Sequence, residues 1–407
     1  MTNWKAVTAL GVSFVFVLTS PHLAFSQNEA AQSRAPILIP ASSIEQPEDV
    51  GVRAHTNHLL RLDQEVIVHG PDHSISSPHG LSPAQLRAIY GLPASGGSGT
   101  IAIVDAFHYA TAENDLNVFS SEFGLPPCTT ANGCFKQVIA ATAKQRRNCG
   151  WSQEAALDIE WAHAMAPNAH IVLVEAASNN LLDLFAAVDV ATAQVTANGG
   201  HGEVSMSWGG SEFSTESSFD SLFNTGKSNN VVYVAASGDA GGVNGYPSVS
   251  PFVVSAGGTS VQLNANGTLA SETGWSGSGG GPSKFEPKPS WQINVPNTDA
   301  TQRSAPDLSF DADPNSGVSI FDSTSCHGLS GWLVVGGTSV SAPAIAGIIN
   351  LAGSGSTTTT QELTLIYAGI GTSDFRDITT GSAGAFSCKV GYDFVTGVGS
   401  NQGTAGK

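Results

Sequence analysis

The run Val231-Val232-Tyr233-Val234-Ala235-Ala236 passes without a break into Ser237-Gly238-Asp239-Ala240-Gly241. Apolar residues on both parities of the run leave neither face for water, as in a strand of a parallel sheet covered on both sides. The glycine-rich string then ends the strand, and in open α/β sheets functional loops gather at strand C-termini. Outward from there the same alternation recurs. Strands are predicted over Thr100 to Val104, Phe135 to Ile139, His170 to Glu175 and Val204 to Trp208, and helices over Ala110 to Phe123, Ser152 to Met165, Leu181 to Val195 and Glu216 to Gly226. Strands alternating with helices predict an α/β fold, a mostly parallel twisted sheet with helices on both faces. There is no internal repeat, and the Gly/Ser tract Trp275 to Pro282 reads as a surface loop.

The chain has 407 residues with 41% hydrophobic content, enough for one large domain with a sizeable core. Sixteen Lys and Arg against 33 Asp and Glu give a formal charge of -17, which argues against nucleic acid or an anionic membrane as partner. A monomer is expected. Residues 1–27 carry one Lys, an apolar stretch from Ala9 to Leu18 and small residues around Ser26, the pattern of a secretory signal peptide. The apolar core is shorter than the roughly 20 residues a membrane span needs. A secreted, extracellular protein free of the membrane after signal removal is therefore expected. Residues 28–80 are rich in Pro, Ser and His without sustained periodicity and read as a short pro-segment or linker; the domain proper, 81–407, opens with a helix near Leu81 to Tyr90.

Export permits disulfides among Cys128, Cys134, Cys149, Cys326 and Cys388. Cys128 and Cys134 flank a turn-rich loop and form the best candidate pair. Cys326 with Cys388 is expected as a long-range second bridge, which leaves Cys149 over.

Chemistry concentrates in three strings. Gly336-Gly337-Thr338-Ser339-Val340-Ser341-Ala342-Pro343 leads into an apolar helical run, so Ser339 sits at a helix N-terminus among N–H groups able to hold an oxyanion. A nucleophilic serine needs a base, and no His-Gly-Thr-His string supplies one; His201-Gly202-Glu203 precedes a strand instead. Glu154 and Asp158 share a helix face with Trp161, Ala162 and Met165, two carboxylates on an otherwise apolar stripe. Such a pair shares a proton, so Glu154 is read as the base for Ser339 and Asp158 as the acid that orients it, working in acid. In the third string, Asp239 ends the strand quoted first, where a protonated carboxyl can donate to an oxyanion. Near the C-terminus, Asp377-Ile378 and Gly391-Tyr392-Asp393 offer oxygen ligands of the kind Ca²⁺ prefers.

Glu-x-x-x-Asp, Ser-Gly-Asp-x-Gly, Gly-Thr-Ser-x-x-x-Pro and Asp-Ile…Gly-x-Asp occur in the order seen in sedolisins, across roughly residues 82 to 400. The chain thus resembles the sedolisin family of serine-carboxyl peptidases. The resemblance implies a subtilisin-like fold and endopeptidase action on proteins or peptides. It implies Glu154, Asp158 and Ser339 as the catalytic set, with Asp239 as oxyanion partner. Ser207-Trp208-Gly209-Gly210 resembles the substrate-lining strand, its Trp supporting the carboxylate network. One structural Ca²⁺ is implied on Asp377, Asp393 and the main-chain oxygens of Ile378 and Gly391. Where the family often has a glycine two positions before that last Gly, this chain has Lys389. Asp105 resembles the subtilisin catalytic Asp and is expected near the site without joining the catalytic set. Sedolisins commonly carry a long folded propeptide, for which residues 28–80 are too few. The alternatives are a conventional Asp/His/Ser subtilase using Asp105 and a secreted protein that keeps the fold without activity; a two-carboxylate glycosidase leaves the Gly-Thr-Ser string unexplained.

Overall fold

In the computed structural model, residues 35–62, 73–140, 146–224, 229–353 and 356–407 are described. The signal-peptide assignment lies outside them, as do residues 28–34 and 63–72 of the pro-segment. A 10-stranded sheet forms the centre. Its order is Phe375–Arg376, Ser400–Asn401, Leu308–Asp311, Val254–Leu263, Val231–Ala236, Gly202–Met206, Thr100–Ala106, His170–Ala176 and Phe135–Ile139, with Leu269–Gly274 pairing off this path. From Ser400–Asn401 to Phe135–Ile139 every pairing is parallel. The expected α/β architecture is the one found.

Burial on both faces follows from the pattern of the strands. Ile101 and Ile103 join the core beneath the helices Cys149–Met165 and Thr338–Ala352. Ala102 and Val104 join the opposite core, under the helix Leu181–Val195. Each fully buried Ile or Leu in these layers contributes about 1.5–3 kcal/mol over its exposed state. The helix Cys149–Met165 starts where the Asn148 side chain accepts the N–H groups of Gly150 and Trp151, at 3.1 and 3.3 Å. It is buried all round from Gly150 to Met165, so the amphipathic stripe read in the sequence underestimates its enclosure.

Two predicted elements change. The strand Val204 to Trp208 breaks at Ser207: Gly202–Met206 stays in the sheet, while Trp208–Ser211 leaves it to pair with Gly245–Tyr246 and His55–Thr56. Gly209 and Gly210 permit this, since a Cβ there would lie 3.1 Å from the Tyr246 carbonyl and 3.2 Å from the Arg53 carbonyl. The helix predicted over Glu216 to Gly226 is a 3₁₀ stretch, Glu216–Leu222. Local side-chain bonds compete with helix there: Glu216 accepts the Phe213 N–H at 2.7 Å, and the Ser218 hydroxyl donates to the Thr215 carbonyl at 2.6 Å.

Cys128 and Cys134 are bridged as expected. The second bridge corrects the sequence assignment: Cys149 pairs with Cys326, and Cys388 is the free, buried thiol. The helix that begins at Cys149 packs against the strand Val318–Cys326, which brings the two Cα atoms to 5.2 Å. Cys388 instead sits against Gly274, a remote part of the molecule. Among the described residues no helix is long and apolar enough to cross a membrane.

Residues 35–62, part of the stretch read in the sequence as a short pro-segment or linker, pack against this body. Ile37–Leu38 pairs with Leu59–Arg61, which pairs with Leu329–Gly336, and His55–Thr56 pairs with Trp208–Ser211.

Candidate active site

Ser339 occupies the first turn of the helix Thr338–Ala352, entered through Gly337 at φ 104°. That backbone state favours glycine. A Cβ on Gly337 would also lie 2.2 Å from the Asn57 carbonyl oxygen and 2.5 Å from Asp239 Oδ2. Glycine therefore keeps open the space in which a carbonyl meets Asp239. Pro343, four residues after Ser339, has no N–H to close the helical bond to the Ser339 carbonyl. The Ser207 hydroxyl reaches that carbonyl instead, at 3.3 Å.

Asp239 follows the strand Val231–Ala236 and lies at the end of the sheet where the sequence placed it. Its Oδ1 accepts both the N–H and the hydroxyl of Thr338 at 2.8 Å, and its Oδ2 is buried without a partner among the described residues. Burial outweighs those bonds and pushes its carboxyl up to about 7.

Glu154 and Asp158 are fully buried on one face of the helix Cys149–Met165, with Asp105 buried nearby at the end of Thr100–Ala106. Burial raises the Asp158 carboxyl well above its ordinary range, with further push from Asp105 and then Glu154. Asp105 is raised likewise, by burial and then by Glu154, and neither of its oxygens has a hydrogen-bond partner among the described residues. Asp105 and Asp158 are thus both pushed towards their neutral forms beside Glu154. Asp158 Oδ1 accepts the Ser207 hydroxyl at 2.7 Å, while Asp158 Oδ2 and Glu154 Oε1 have no partner among the described residues.

The Ser339 hydroxyl donates to the Ser207 carbonyl at 3.1 Å, and Glu154 Oε2 meets His58 Nδ1 at 2.6 Å. His58 escaped the sequence reading because it stands in an aperiodic stretch without a motif. Trp208 also differs from expectation: its indole donates to the Val104 carbonyl at 2.8 Å and does not bond a carboxylate. Gly209 and Gly210 line the strand that pairs with His55–Thr56, consistent with a surface for extended backbone. A cavity of about 180 Å³ opens beside Asp239, Gly210, Val243 and Asn57.

At the C-terminal loop, Asp393 Oδ1 accepts the N–H groups of Val395 and Thr396 at 2.8 Å, Asp393 Oδ2 accepts the Lys389 N–H at 3.1 Å, and Asp377 Oδ2 accepts the Gly391 N–H at 3.0 Å. Neither carboxylate has a Lys or Arg ion-pair partner among the described residues. The remaining donors there are main-chain oxygens, a hard-oxygen set compatible with Ca²⁺.

A serine at a helix N-terminus thus stands near buried carboxyls at the C-terminal end of a parallel sheet, on a subtilisin-like fold. Known proteins share that fold. Pseudomonas sedolisin, solved as a serine-carboxyl proteinase complexed with two molecules of pseudo-iodotyrostatin, matches 80% of this chain and 96% of its own with a TM-score of 0.69 at 22% identity. The S41 psychrophilic protease matches with a TM-score of 0.54 at 19% identity, over 80% of this chain and 99% of its own. These likenesses concern the fold. In sequence, kumamolisin of Bacillus sp. (strain MN-32) is 34% identical over 221 residues, 48% of this chain and 38% of that protein. Xanthomonalisin of Xanthomonas sp. (strain T-22) is 26% identical over 459 aligned positions, 92% of this chain and 53% of that protein. Sedolisin of Pseudomonas sp. (strain 101) is 30% identical over 172 residues, 38% and 28% of the two. The chain spans between 28% and 53% of the length of these relatives. No family model matches it. The chain is thus similar in sequence to sedolisins over part of their length, and similar to them in fold.

Proposed function

We propose that the protein is a secreted endopeptidase that hydrolyses peptide bonds in proteins at acidic pH through an acyl-enzyme on Ser339. The observation that carries this is the juxtaposition of the Ser339 N–H and the partnerless Asp239 Oδ2 around one carbonyl oxygen, that of Asn57. In this reading Glu154 takes the hydroxyl proton as Oγ bonds to the substrate carbonyl carbon. Asp158, held neutral by burial, offers a proton to the free Glu154 Oε1 and orients it. The oxyanion that develops receives the Ser339 N–H and the Asp239 proton. Glu154 then returns its proton to the departing amine nitrogen, and water hydrolyses the Ser339 ester by the reverse sequence. Asp105 takes no proton in these steps; its neutral carboxyl spares Glu154 a second nearby charge. Trp208, Gly209 and Gly210 pair with the extended substrate.

A structural Ca²⁺ would be held by the carboxylates of Asp377 and Asp393 and the main-chain oxygens of Ile378 and Gly391, where it ties two turns of the C-terminal loop together. Lys389 in place of a glycine leaves its carbonyl available as a further ligand.

The test is cleavage of a denatured protein between pH 2.5 and 8 by the wild-type chain, Ser339→Ala and Glu154→Gln. Activity that peaks in acid and disappears in both variants is expected. A neutral optimum that survives Glu154→Gln removes the carboxylate base and favours a conventional subtilase.

A further inference from the structure

At the end of the sheet opposite Ser339, a small cavity of about 20 Å³ lies between Glu203, Asn350 and Glu362. That is room for about one water-sized sphere. Glu203 is the second residue of the strand Gly202–Met206, and Asn350 lies two residues before the end of the helix Thr338–Ala352. Glu362 stands in the first turn of the helix Thr359–Ala368. Buried Val232 and Ile349 close the wall between them. Two carboxylates therefore face a space with an apolar lining, far from the carboxyls beside Ser339.

Asn350 fixes the first carboxylate. Its Nδ2 donates to Glu203 Oε2 at 2.8 Å and to the Ser98 carbonyl at 2.6 Å, and its Oδ1 accepts the Ser98 N–H at 2.8 Å, so the amide cannot turn away. The second carboxylate has no such support. Glu362 is 0% exposed, and neither of its oxygens has a hydrogen-bond partner among the described residues. Its helix does not need it as a cap, because Thr358 Oγ1 already accepts the Gln361 N–H at 3.2 Å. The Ser356 hydroxyl, on the same cavity wall, is likewise buried without a hydrogen bond. His201 stands at the rim with Nε2 engaged by Ser98 Oγ at 3.3 Å. Among the described residues no Lys, Arg or His forms an ion pair with either carboxylate, and Lys407 acts on both from beyond that range.

Buried carboxylates are hydrogen-bonded, ion-paired or bound to a metal, because water no longer solvates them. Glu362 has neither of the first two. We propose that this cavity is a cation site, in which Glu203 and Glu362 hold one hard divalent cation of the calcium kind, separate from the C-terminal loop. The two carboxylates balance the charge of such an ion, and the carboxylate and hydroxyl oxygens that line the cavity are the donors it prefers. The ion ties the helix Thr359–Ala368 to the strand Gly202–Met206. That strand leads directly to Ser207, whose hydroxyl holds Asp158. The helix that supplies Asn350 carries Ser339 in its first turn, about 16 Å away along the axis. From the far end, the cation braces the two elements that lead to Ser207 and Ser339, and it takes no part in bond breaking.

The experiment uses the full chain carrying Asp377→Asn, which removes the loop carboxylate and keeps the cavity. Calcium chloride is titrated into it by calorimetry near neutrality, and thermal melts are run with and without calcium. Expected are binding of one ion and a melting temperature raised by several degrees. Adding Glu362→Gln removes both effects, and adding Glu203→Gln does the same. Glutamine keeps the size of each side chain without its charge, so both variants should fold and melt normally in the absence of calcium. Heat and a melting shift that persist in either variant, or that are missing from the parent, overturn the site. A further measurement does not depend on how the variants fold. Europium(III) bound by the folded parent is read by its luminescence lifetime, which lengthens as the ion sheds water into a closed cavity; a lifetime as short as that of the free hydrated ion overturns the site.

Discussion

On the proposed mechanism Asp239 serves an oxyanion only while it carries a proton, so its surroundings would set the upper pH of the reaction. Burial raises its carboxyl from the usual 3.8 to about 7, against the lowering bonds from Thr338. The group is neutral below that value and ionises as pH climbs through it, so activity should fall across pH 6 to 8. Asn at this position keeps an N–H donor at any pH. We predict that Asp239→Asn moves the alkaline limb of kcat upward and that Asp239→Ala loses about 10²–10³ in kcat at the acid optimum; an unmoved limb in the Asn variant would assign the titration elsewhere. Ser339, Glu154, Asp158 and Asp239 were legible in the sequence because each lies in a short string with its own chemical logic. Asn57 and His58 were not: their meaning comes from contacts with Ser339 and Glu154, 282 and 96 residues away along the chain.

Long apolar strands and buried helices announced themselves through composition, since both faces of Val231–Ala236 must be covered whatever follows. Two- and three-residue strands such as His55–Thr56 and Leu59–Arg61 had no such signal, because they exist only by borrowing the edges of Trp208–Ser211 and Leu329–Gly336. The bridge between Cys149 and Cys326 was hidden for the same reason, being set by how one helix packs on one strand. At this scale the C-terminal loop supplies a further test. If Ca²⁺ ties it, a chelator should lower the melting temperature by several degrees, since a hundredfold excess of ligand over Kd adds about 2.7 kcal/mol. Asp377→Asn is the cleaner variant, because Asp377 is exposed whereas Asp393 also caps the N–H groups of Val395 and Thr396. Calcium should then stabilise the wild type more than Asp377→Asn in a thermal melt; an equal effect of calcium on both removes the ion from the loop.

Across the whole molecule, buried carboxyls tie stability to acid. Next to the strand Trp208–Ser211, Glu216 bonds Glu212 and Glu286 bonds Asp220, with Tyr246 and Arg303 the other titratable groups acting on them. Burial lifts Glu216 and Glu286 to about 8, and it also raises Asp220. Raised folded-state values mean that the stabilisation is complete below the ordinary carboxyl range and drains away as pH rises from about 4.3 towards 8. The melting temperature should therefore fall over that window, and Glu286→Gln should flatten the fall; a flat wild-type profile would mean that the cluster does not control stability. The seat taken by residues 52–61 carries a wider implication. Any chain that replaces them must lie straight across two sheet edges, with its main chain free of other partners for some ten residues. Compact, well-folded proteins cannot offer that, so on the proposed endopeptidase reading the stability of each target would act as a sieve. Acid that opens a target's fold also protonates Asp239, and degradation would then select for whatever has already come undone.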